Sequence, residues 1–162
     1  MNDSPAAALI EELRRRGLTV ATAESLTAGL VSATLADVSG ASTVLRGGIV
    51  AYSPEVKQQL LGVDPELLEA HGTVHAEVAR QMAHGAARAL HADLALATTG
   101  VAGPGPAEGH PPGTGFLALA LPTGEVVSRP FAVAGTRNEV RRLVTWEILT
   151  WAAQEITHPR LS

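Results

Sequence analysis

The sequence contains no cysteine, and this absence excludes several kinds of site at once. No disulfide framework, thiolate nucleophile, or zinc or iron–sulfur site built on cysteine is available. Aromatic residues are also scarce, at 3% of the chain, whereas hydrophobic residues reach 46%. The core must therefore be built from closely packed aliphatic side chains, which favours helices on a sheet over an aromatic sandwich.

Positive charge is limited too. The formal net charge is -4, and no basic stripe interleaved with aromatics offers a footprint for nucleic acid. No apolar run approaches the roughly 20 residues that cross a bilayer. The N-terminal stretch Met-Asn-Asp-Ser-Pro also lacks the basic start of a signal peptide. We therefore expect a soluble, cytoplasmic protein that binds neither nucleic acid nor a membrane.

The 162 residues are expected to form a single domain, with a core at about 5–156 and a frayed tail at 157–162. Helical patterns alternate with three predicted strands, at about 18–22, 44–52 and 93–99. Two further strands, 114–121 and 126–133, flank a turn and predict an antiparallel hairpin. The expected fold class is α/β: three α/β/α layers on a mixed, largely parallel sheet with a late antiparallel hairpin.

Remaining helices begin at recognisable caps. Ser4-Pro5 opens a helix that Gly17 ends, and Asp64-Pro65 opens a short one. A helix is also predicted from Leu26 to about Val38, because its leucines and valines recur at helical spacing. The longest helix is expected at about 136–156.

Polar segments follow the predicted strands, where ligands collect in α/β sheets. They lie at 22–27, 52–57, 98–113 and, beyond the hairpin, 136–137, and all four can line one cleft. The third contains a loop, 100–113, with five Gly and four Pro in 14 residues, too many for a regular element. Its backbone N–H groups, and those of the helix after Ser25, are candidates for an oxyanion hole or a phosphate cradle.

The stretch "ATAESLTAGL" at 21–30 can be interpreted in two ways. In the first, Thr22 or Ser25, together with Glu24, forms a helix cap, since Ser and Thr are common at helix starts. Alternatively, Ser25 is a nucleophile whose proton is taken by Lys57, with Tyr52 beside them, provided that Lys57 is held neutral. Taken alone, Lys57 also fits a solvated surface residue and Tyr52 a packed ring. Local sequence leaves both interpretations open.

No metal site and no cofactor are expected. His71 and His75 are four residues apart, but Gly72 breaks the helix between them, and the other histidines show no ligand spacing. The arginines near the last helix, among them Arg137 and Arg141, suit a phosphate or carboxylate, although helix-face arginines usually lie in solvent.

Five motifs in order resemble the C-terminal domain of the CinA (competence/damage-inducible) family. They read "TVATAESLTAGL", "GGIVAYSPEVKQQLLGV", "HGTVHAEVARQMAHGA", "TTGVAGPGP" with "PPGTGFLAL", and "GTRNEVRR". The resemblance covers about residues 5–156. It implies an amidohydrolase, since the family includes enzymes that convert nicotinamide mononucleotide to nicotinic acid mononucleotide and ammonia. The chain is similar to the stand-alone form, without the molybdopterin-binding-like domain of longer members.

The resemblance also implies roles for individual residues. Ser25 matches the serine of the A-E-S motif and is the expected nucleophile, Lys57 the general base, and Tyr52 their supporting residue. The expected substrate contacts are Thr27, Thr99, Gly100, Gly103 and Arg137, the last for the phosphate. No metal takes part.

Two departures from the family motif, Leu26 for Cys and Ala28 for Gly, leave a second function open. The methyl of Ala28 would cost activity if the backbone there takes positive φ or approaches the substrate closely. A non-catalytic nucleotide-binding or partner-binding domain is the alternative to the enzyme. A homodimer is also compatible with the Ala-rich helix faces.

Overall fold

The computed structural model describes residues 4–159, which form a five-stranded sheet with helices on both faces. The spatial order of the strands is β2-β1-β3-β4-β5. Their bounds are β1 Val20–Glu24, β2 Leu45–Val50, β3 Leu94–Gly100, β4 Thr114–Ala120 and β5 Val126–Ala132. Strand β1 pairs in parallel with β2 and β3, whereas β3–β4 and β4–β5 are antiparallel. This mixed α/β sheet with its late hairpin confirms the predicted fold class.

Six α-helices and one short 3-10 helix are present within residues 4–159. The α-helices are α1 Pro5–Arg16, α2 Leu30–Ala36, α3 Pro54–Leu61, α4 Pro65–His71, α5 Ala76–Ala89 and α6 Arg137–Thr157; the 3-10 helix is Ala41–Thr43. None of them is both long and apolar enough to cross a membrane. Of the predicted tail, residues 160–162 lie outside the described part of the chain, while α6 extends to Thr157.

The two faces of the sheet carry side chains of different size. On β3, Leu94 and Leu96 face the core shared with α1, α2 and α6, while Ala95 and Ala97 face α5. Because alanine side chains are short, α5 lies close to the sheet, and α3 packs on α5 in turn. Gly85 permits that second contact, since a Cβ there would collide with the Leu61 carbonyl. This packing brings α3 and its Lys57 over the end of β1.

Strand β1 begins two residues later than predicted and runs further. Leu18 donates its N–H to Leu13 O and so completes the end of α1 after Gly17. All five residues of Val20–Glu24 are buried, as expected for a strand between two parallel neighbours. Ser25 therefore follows the last residue of the strand directly.

The helix predicted from Leu26 begins only at Leu30, because residues 25–29 form a turn. Within it Ala28 and Gly29 adopt positive φ, at 48° and 98°. Helix α2 is capped by the Glu24 carboxylate, which accepts from Val31 N at 2.7 Å and Ser32 N at 3.0 Å. The expected cap is thus confirmed for Glu24 but not for Thr22 or Ser25, and the Ser25 side chain takes no part in capping the helix.

Glycine and proline residues account for two local features of β2 and β5. Gly47-Gly48 coincides with a register shift between β1 and β2, and a Cβ on Gly48 would collide with the Ser32 and Thr22 hydroxyls. Pro130 lies on β5, an edge strand, where its missing N–H is tolerated.

Candidate active site

Ser25 lies where β1 gives way to the 25–29 turn. Its N–H donates to Thr98 O at 3.0 Å, which ties the turn to the end of β3. The residue is only 8% exposed, and it lines a cavity at the carboxyl end of the parallel strands. The backbone thus holds the Ser25 side chain at the edge of the sheet where ligands bind in α/β folds.

Lys57, the only lysine of the chain, is fully buried in the first half of α3. Ser53 caps this helix by accepting from Val56 N, and Pro54 occupies the first turn. The Lys57 ammonium donates to Ser25 Oγ at 2.8 Å and to the carbonyl oxygen of Ala51 at 2.7 Å. A third, longer bond at 3.2 Å runs to Tyr52 O. The predicted pair of serine and lysine is therefore in hydrogen-bond contact.

Burial lowers the pKa of Lys57 from 10.5 to about 8, with the negative charge of Glu108 acting in the opposite direction. A fraction of the molecules then carries a neutral amine at physiological pH. The two carbonyls can only accept, so they take the two N–H groups of a neutral amine. Its lone pair is left for the Ser25 hydroxyl proton, which is the arrangement that a general base requires.

The Tyr52 side chain does not join this pair. Its ring is 56% exposed, and its hydroxyl accepts from the Arg137 guanidinium at 2.8 Å. Only the Tyr52 backbone carbonyl contacts Lys57. The expectation that Tyr52 supports the dyad therefore holds only for its backbone carbonyl, because its side chain belongs to the mouth of the cavity. The adjacent Ser53-Pro54 start of α3 turns the chain there and separates the ring from the lysine.

Arg137 opens α6 directly after the Thr136 cap. Besides Tyr52, its guanidinium donates to Gly103 O in the glycine-rich loop at 2.7 Å. Both acceptors are neutral, and Arg137 forms no salt bridge within residues 4–159. Its charge is therefore available to an anionic group of a ligand.

The cavity has a volume of about 330 Å³ and is lined by residues from all four predicted segments, the last of them at the start of α6. It contains the predicted residues Gly100 and Gly103 as well as Ser25, Tyr52 and Arg137. Its wall is formed by Ser25, Leu26, Tyr52, Thr73, Val74, Gly100, Val101, Ala102, Gly103, Gly105, Pro106, Ala107, Glu108 and Arg137. No group of three or more histidines and carboxylates within residues 4–159 is placed to hold a metal ion.

Thr27 and Thr99, both expected to contact substrate, are buried beside the cavity rather than in its wall. The Thr27 and Thr98 hydroxyls share a hydrogen bond of 2.9 Å. Thr99 Oγ1 donates to Thr73 O at 2.8 Å. Each hydroxyl thus connects one wall segment to β3, and the expectation of direct substrate contact is replaced by a supporting position.

Comparison with known proteins identifies the group to which this fold and site belong. The family model described as the CinA C-terminal domain matches residues 2–156. The chain belongs to the CinA C-terminal domain family. Curated relatives of this CinA domain carry the name competence-damage inducible protein. That of Shouchella clausii is 50% identical over 129 residues, which are 80% of this chain and 31% of the relative.

A second relative, from Streptococcus pneumoniae, is 44% identical over 140 residues, which are 86% of this chain and 34% of the relative. The chain thus spans about a third of the length of the curated relatives it matches. A CinA superfamily protein from Klebsiella pneumoniae has a solved structure with a TM-score of 0.91 and 27% identity, covering 95% of this chain and 96% of that one. The competence/damage inducible protein CihA from Agrobacterium tumefaciens has a solved structure with a TM-score of 0.86 and 37% identity, covering 91% of this chain and 90% of that one.

Glu108 is a wall residue of this CinA domain that sequence reasoning missed. Its carboxylate accepts from Thr73 N at 3.1 Å, from Thr73 Oγ1 at 2.8 Å and from Val74 N at 3.3 Å. The carboxylate thereby joins the glycine-rich loop to the segment before α5. Glu108 and Thr73 are 35 positions apart in the sequence, so no local sequence pattern predicts their contact.

Ala28 lies on the solvent side of the 25–29 turn and is exposed. It is absent from the cavity wall, so its methyl group does not occupy space that a ligand needs. Its φ of 48° nevertheless lies in the left-handed region, where a side chain costs free energy. Alanine in place of the family's glycine therefore affects the backbone conformation of the turn and not the volume of the cavity.

Proposed function

We propose that this CinA domain is a metal-independent amidohydrolase that converts nicotinamide mononucleotide to nicotinic acid mononucleotide and ammonia. The observation that carries the proposal is the 2.8 Å contact between Ser25 Oγ and the buried Lys57 amine. A serine is a weak nucleophile unless a neighbouring base removes its proton. A lysine that serves only solubility would not be buried beside that serine, because burial penalises its charged form.

In the first half of the reaction, Ser25 Oγ attacks the carboxamide carbon and its proton passes to Lys57 Nζ. The resulting tetrahedral intermediate carries its negative charge on the former amide oxygen. Lys57 then gives the proton to the departing nitrogen, which leaves as ammonia, and the C–N bond breaks. The product of this half is an ester between the acid and Ser25.

In the second half, water attacks the ester carbon while Lys57 accepts one of its protons. Collapse of the second intermediate breaks the bond to Ser25 Oγ, which recovers the proton from Lys57. One water is consumed in all, and one acid and one ammonia are formed. Because Lys57 alternates between base and acid, a pKa near 8 suits both duties better than an ordinary value near 10.5.

Recognition of the nucleotide is assigned to the other side of the cavity. Arg137 offers a planar pair of N–H donors suited to a phosphate, and the ligand would replace its neutral partners Tyr52 and Gly103. Gly100 and Gly103 line the same cavity and would contact the ligand through their backbone. The volume of about 330 Å³ falls in the range of small-molecule sites.

The proposal is tested with a panel of four amides: nicotinamide mononucleotide, nicotinamide riboside, nicotinamide and NAD. Ammonia release is measured at equal concentrations and pH 8. We expect the mononucleotide to give the highest kcat/KM, because only it presents a carboxamide and a terminal phosphate at matching ends. Binding of the mononucleotide without ammonia release would instead support a non-catalytic nucleotide-binding domain.

A further inference from the structure

The 25–29 turn that carries Ser25 is held from outside by a residue that the proposed chemistry has not yet used. Arg141, one turn into α6, donates from Nε to Leu26 O at 2.9 Å and from a terminal nitrogen to Thr27 O at 3.0 Å. These contacts join positions more than a hundred residues apart. A single guanidinium therefore fixes the direction of two consecutive carbonyl groups next to the nucleophile.

Two buried residues of the same turn carry backbone donors without an acceptor. Ser25 N and Ala28 N are both paired, with Thr98 O and Ser25 O. In contrast, the N–H groups of Leu26 and Thr27 donate to no acceptor within residues 4–159. Both residues are buried, and buried N–H groups without a partner are rare in folded proteins.

The hydrogen bond from Arg141 to Leu26 O determines the orientation of one of these donors, Thr27 N–H. The Leu26–Thr27 peptide is trans, so its N–H points away from its C=O. Arg141 holds that C=O on the α6 side of the turn. Thr27 N–H therefore points away from α6 within the buried part of the turn, whereas the other donor, Leu26 N–H, belongs to a residue of the cavity wall directly after Ser25.

We infer that Arg141 is a positioning residue: by holding the Leu26 and Thr27 carbonyls it fixes the turn so that Leu26 N–H serves as an oxyanion hole for the charge that forms when Ser25 attacks. The inference rests on the proposed function, because it assigns the developing oxygen charge to a place in the same reaction. Donors fixed before the reaction starts need no reorganisation in the transition state, and loss of one such donor typically slows an enzyme by about 10²–10³-fold. Arg141 touches neither substrate nor reacting atoms and acts through the peptide that it holds.

The test uses a small alkyl fluorophosphonate, whose reaction with Ser25 does not depend on nicotinamide mononucleotide. Ser25 Oγ bonds to phosphorus, fluoride leaves, and the serine proton passes to Lys57; intact-protein mass follows the rate. We expect Arg141→Met to react about 100-fold more slowly than the wild type, since the phosphoryl oxygen needs the same donors. Arg142→Met removes an exposed arginine from the next position of α6 and should stay within about twofold of the wild type.

Two further measurements separate positioning from general structural damage. The pKa of Lys57, measured by NMR on this only lysine, should be the same in Arg141→Met and the wild type. For hydrolysis of the mononucleotide, kcat should fall while KM stays unchanged, because the oxygen charge exists only in the transition state. If Arg141→Met does not fold, Arg141→Lys takes its place, with about tenfold slower phosphonylation expected because an ammonium cannot hold both carbonyls in the same geometry.

Equal phosphonylation rates for the wild type and the Arg141 variants overturn the inference, even if the wild type hydrolyses the mononucleotide. The inference is also overturned if phosphonylation of Arg142→Met is slowed as much as that of Arg141→Met. If phosphonylation depends on Arg141 but no ammonia is released from the mononucleotide, the proposed substrate fails and the role of Arg141 stands. If the wild type reacts with the fluorophosphonate no faster than Ser25→Ala does, both the role of Arg141 and the proposed function are overturned.

Discussion

Lys57 Nζ lies 2.8 Å from Ser25 Oγ, although the two residues are 32 positions apart and belong to different elements. The contact exists because β1 ends at Glu24 and α3 packs across that end. The lysine reaches the serine from within the protein and shares its remaining bonds with two backbone carbonyls. The site is thus already assembled in the free protein, and its reactivity depends on how readily Lys57 loses its proton.

The rate of amide hydrolysis should rise with pH and level off above an apparent pKa of about 8. The cause is that only the neutral Lys57 accepts the Ser25 proton, and burial lowers the pKa of Lys57 to about 8. The measurement is kcat/KM for nicotinamide mononucleotide from pH 6 to 10, beside a direct NMR titration of the single lysine. Agreement of the two midpoints supports the base role; a lysine that titrates near 10.5 while the rate has already levelled off would exclude it.

Replacing Lys57 by methionine should abolish activity and yet stabilise the protein at neutral pH. The unfolded chain holds the lysine proton up to about pH 10.5, whereas the folded protein releases it near pH 8. Below pH 8 the folded state therefore contains a buried charge, at a cost of about 3 kcal/mol from 1.36 kcal/mol per pKa unit. Between pH 8 and 10.5 the unfolded state binds more protons, so the free energy of unfolding of the wild type rises with pH.

The difference in that free energy between Lys57→Met and the wild type should accordingly shrink by up to about 3 kcal/mol from pH 7 to 10.5. Urea denaturation at several pH values measures it, and the pH trend does not depend on how well the methionine packs. A difference that is constant with pH would show that Lys57 has an ordinary pKa in the folded protein.

Arg137→Met should raise KM for nicotinamide mononucleotide about 10-fold to 100-fold and leave kcat nearly unchanged. The phosphate lies far from the reacting bond, so its contact contributes equally to the bound substrate and the transition state. Kinetics on nicotinamide riboside, which has no phosphate, provide the control, because the variant should match the wild type there. Equal losses on both substrates would instead assign Arg137 to holding the glycine-rich loop through Gly103.

Ala28→Gly should stabilise the protein by about 0.5–1 kcal/mol and leave activity unchanged. Ala28 has a φ of 48°, which glycine adopts without the steric penalty of a Cβ, and its side chain is outside the cavity wall. The matched control is Ala33→Gly, an exposed position within α2, which should destabilise by about 1 kcal/mol. Thermal and urea unfolding measure both; a many-fold gain in activity for Ala28→Gly would show that the methyl does obstruct the site.

Much of the fold was predictable because its signals are local. Ser4 and Asp64 cap the helices expected of them, and the longest helix begins within one residue of its expected start at 136. The predicted start of α2 was wrong for a local reason too: Leu26 and Leu30 have helical spacing, while the actual cap is the Glu24 carboxylate reaching forward over the turn.

The candidate site was predictable only in part. The meeting of Ser25 and Arg137 at one cavity, with Lys57 bonded to Ser25 from within the protein, follows from strand ends meeting at one edge of the sheet. Three other contacts could not be predicted, because each depends on a partner distant in sequence. They are the hydrogen bonds of the Tyr52 hydroxyl with Arg137, of Glu108 with Thr73, and of Arg141 with the 25–29 turn. A helix residue on the exposed face and one that makes a buried contact can have the same spacing in the sequence. No sequence pattern therefore distinguished Arg141 from an ordinary surface arginine.

The most direct test of the proposed reaction is ammonia release from nicotinamide mononucleotide by the wild type, Ser25→Ala and Lys57→Ala. Ser53→Ala serves as the control, since it removes a nearby hydroxyl that caps α3 and costs about 1 kcal/mol of stability without touching the dyad. We predict equimolar ammonia and nicotinic acid mononucleotide from the wild type and Ser53→Ala, and a loss of at least about a thousandfold in kcat for the other two. A wild type that releases no ammonia, or a Ser25→Ala variant that keeps the wild-type rate, would contradict the account.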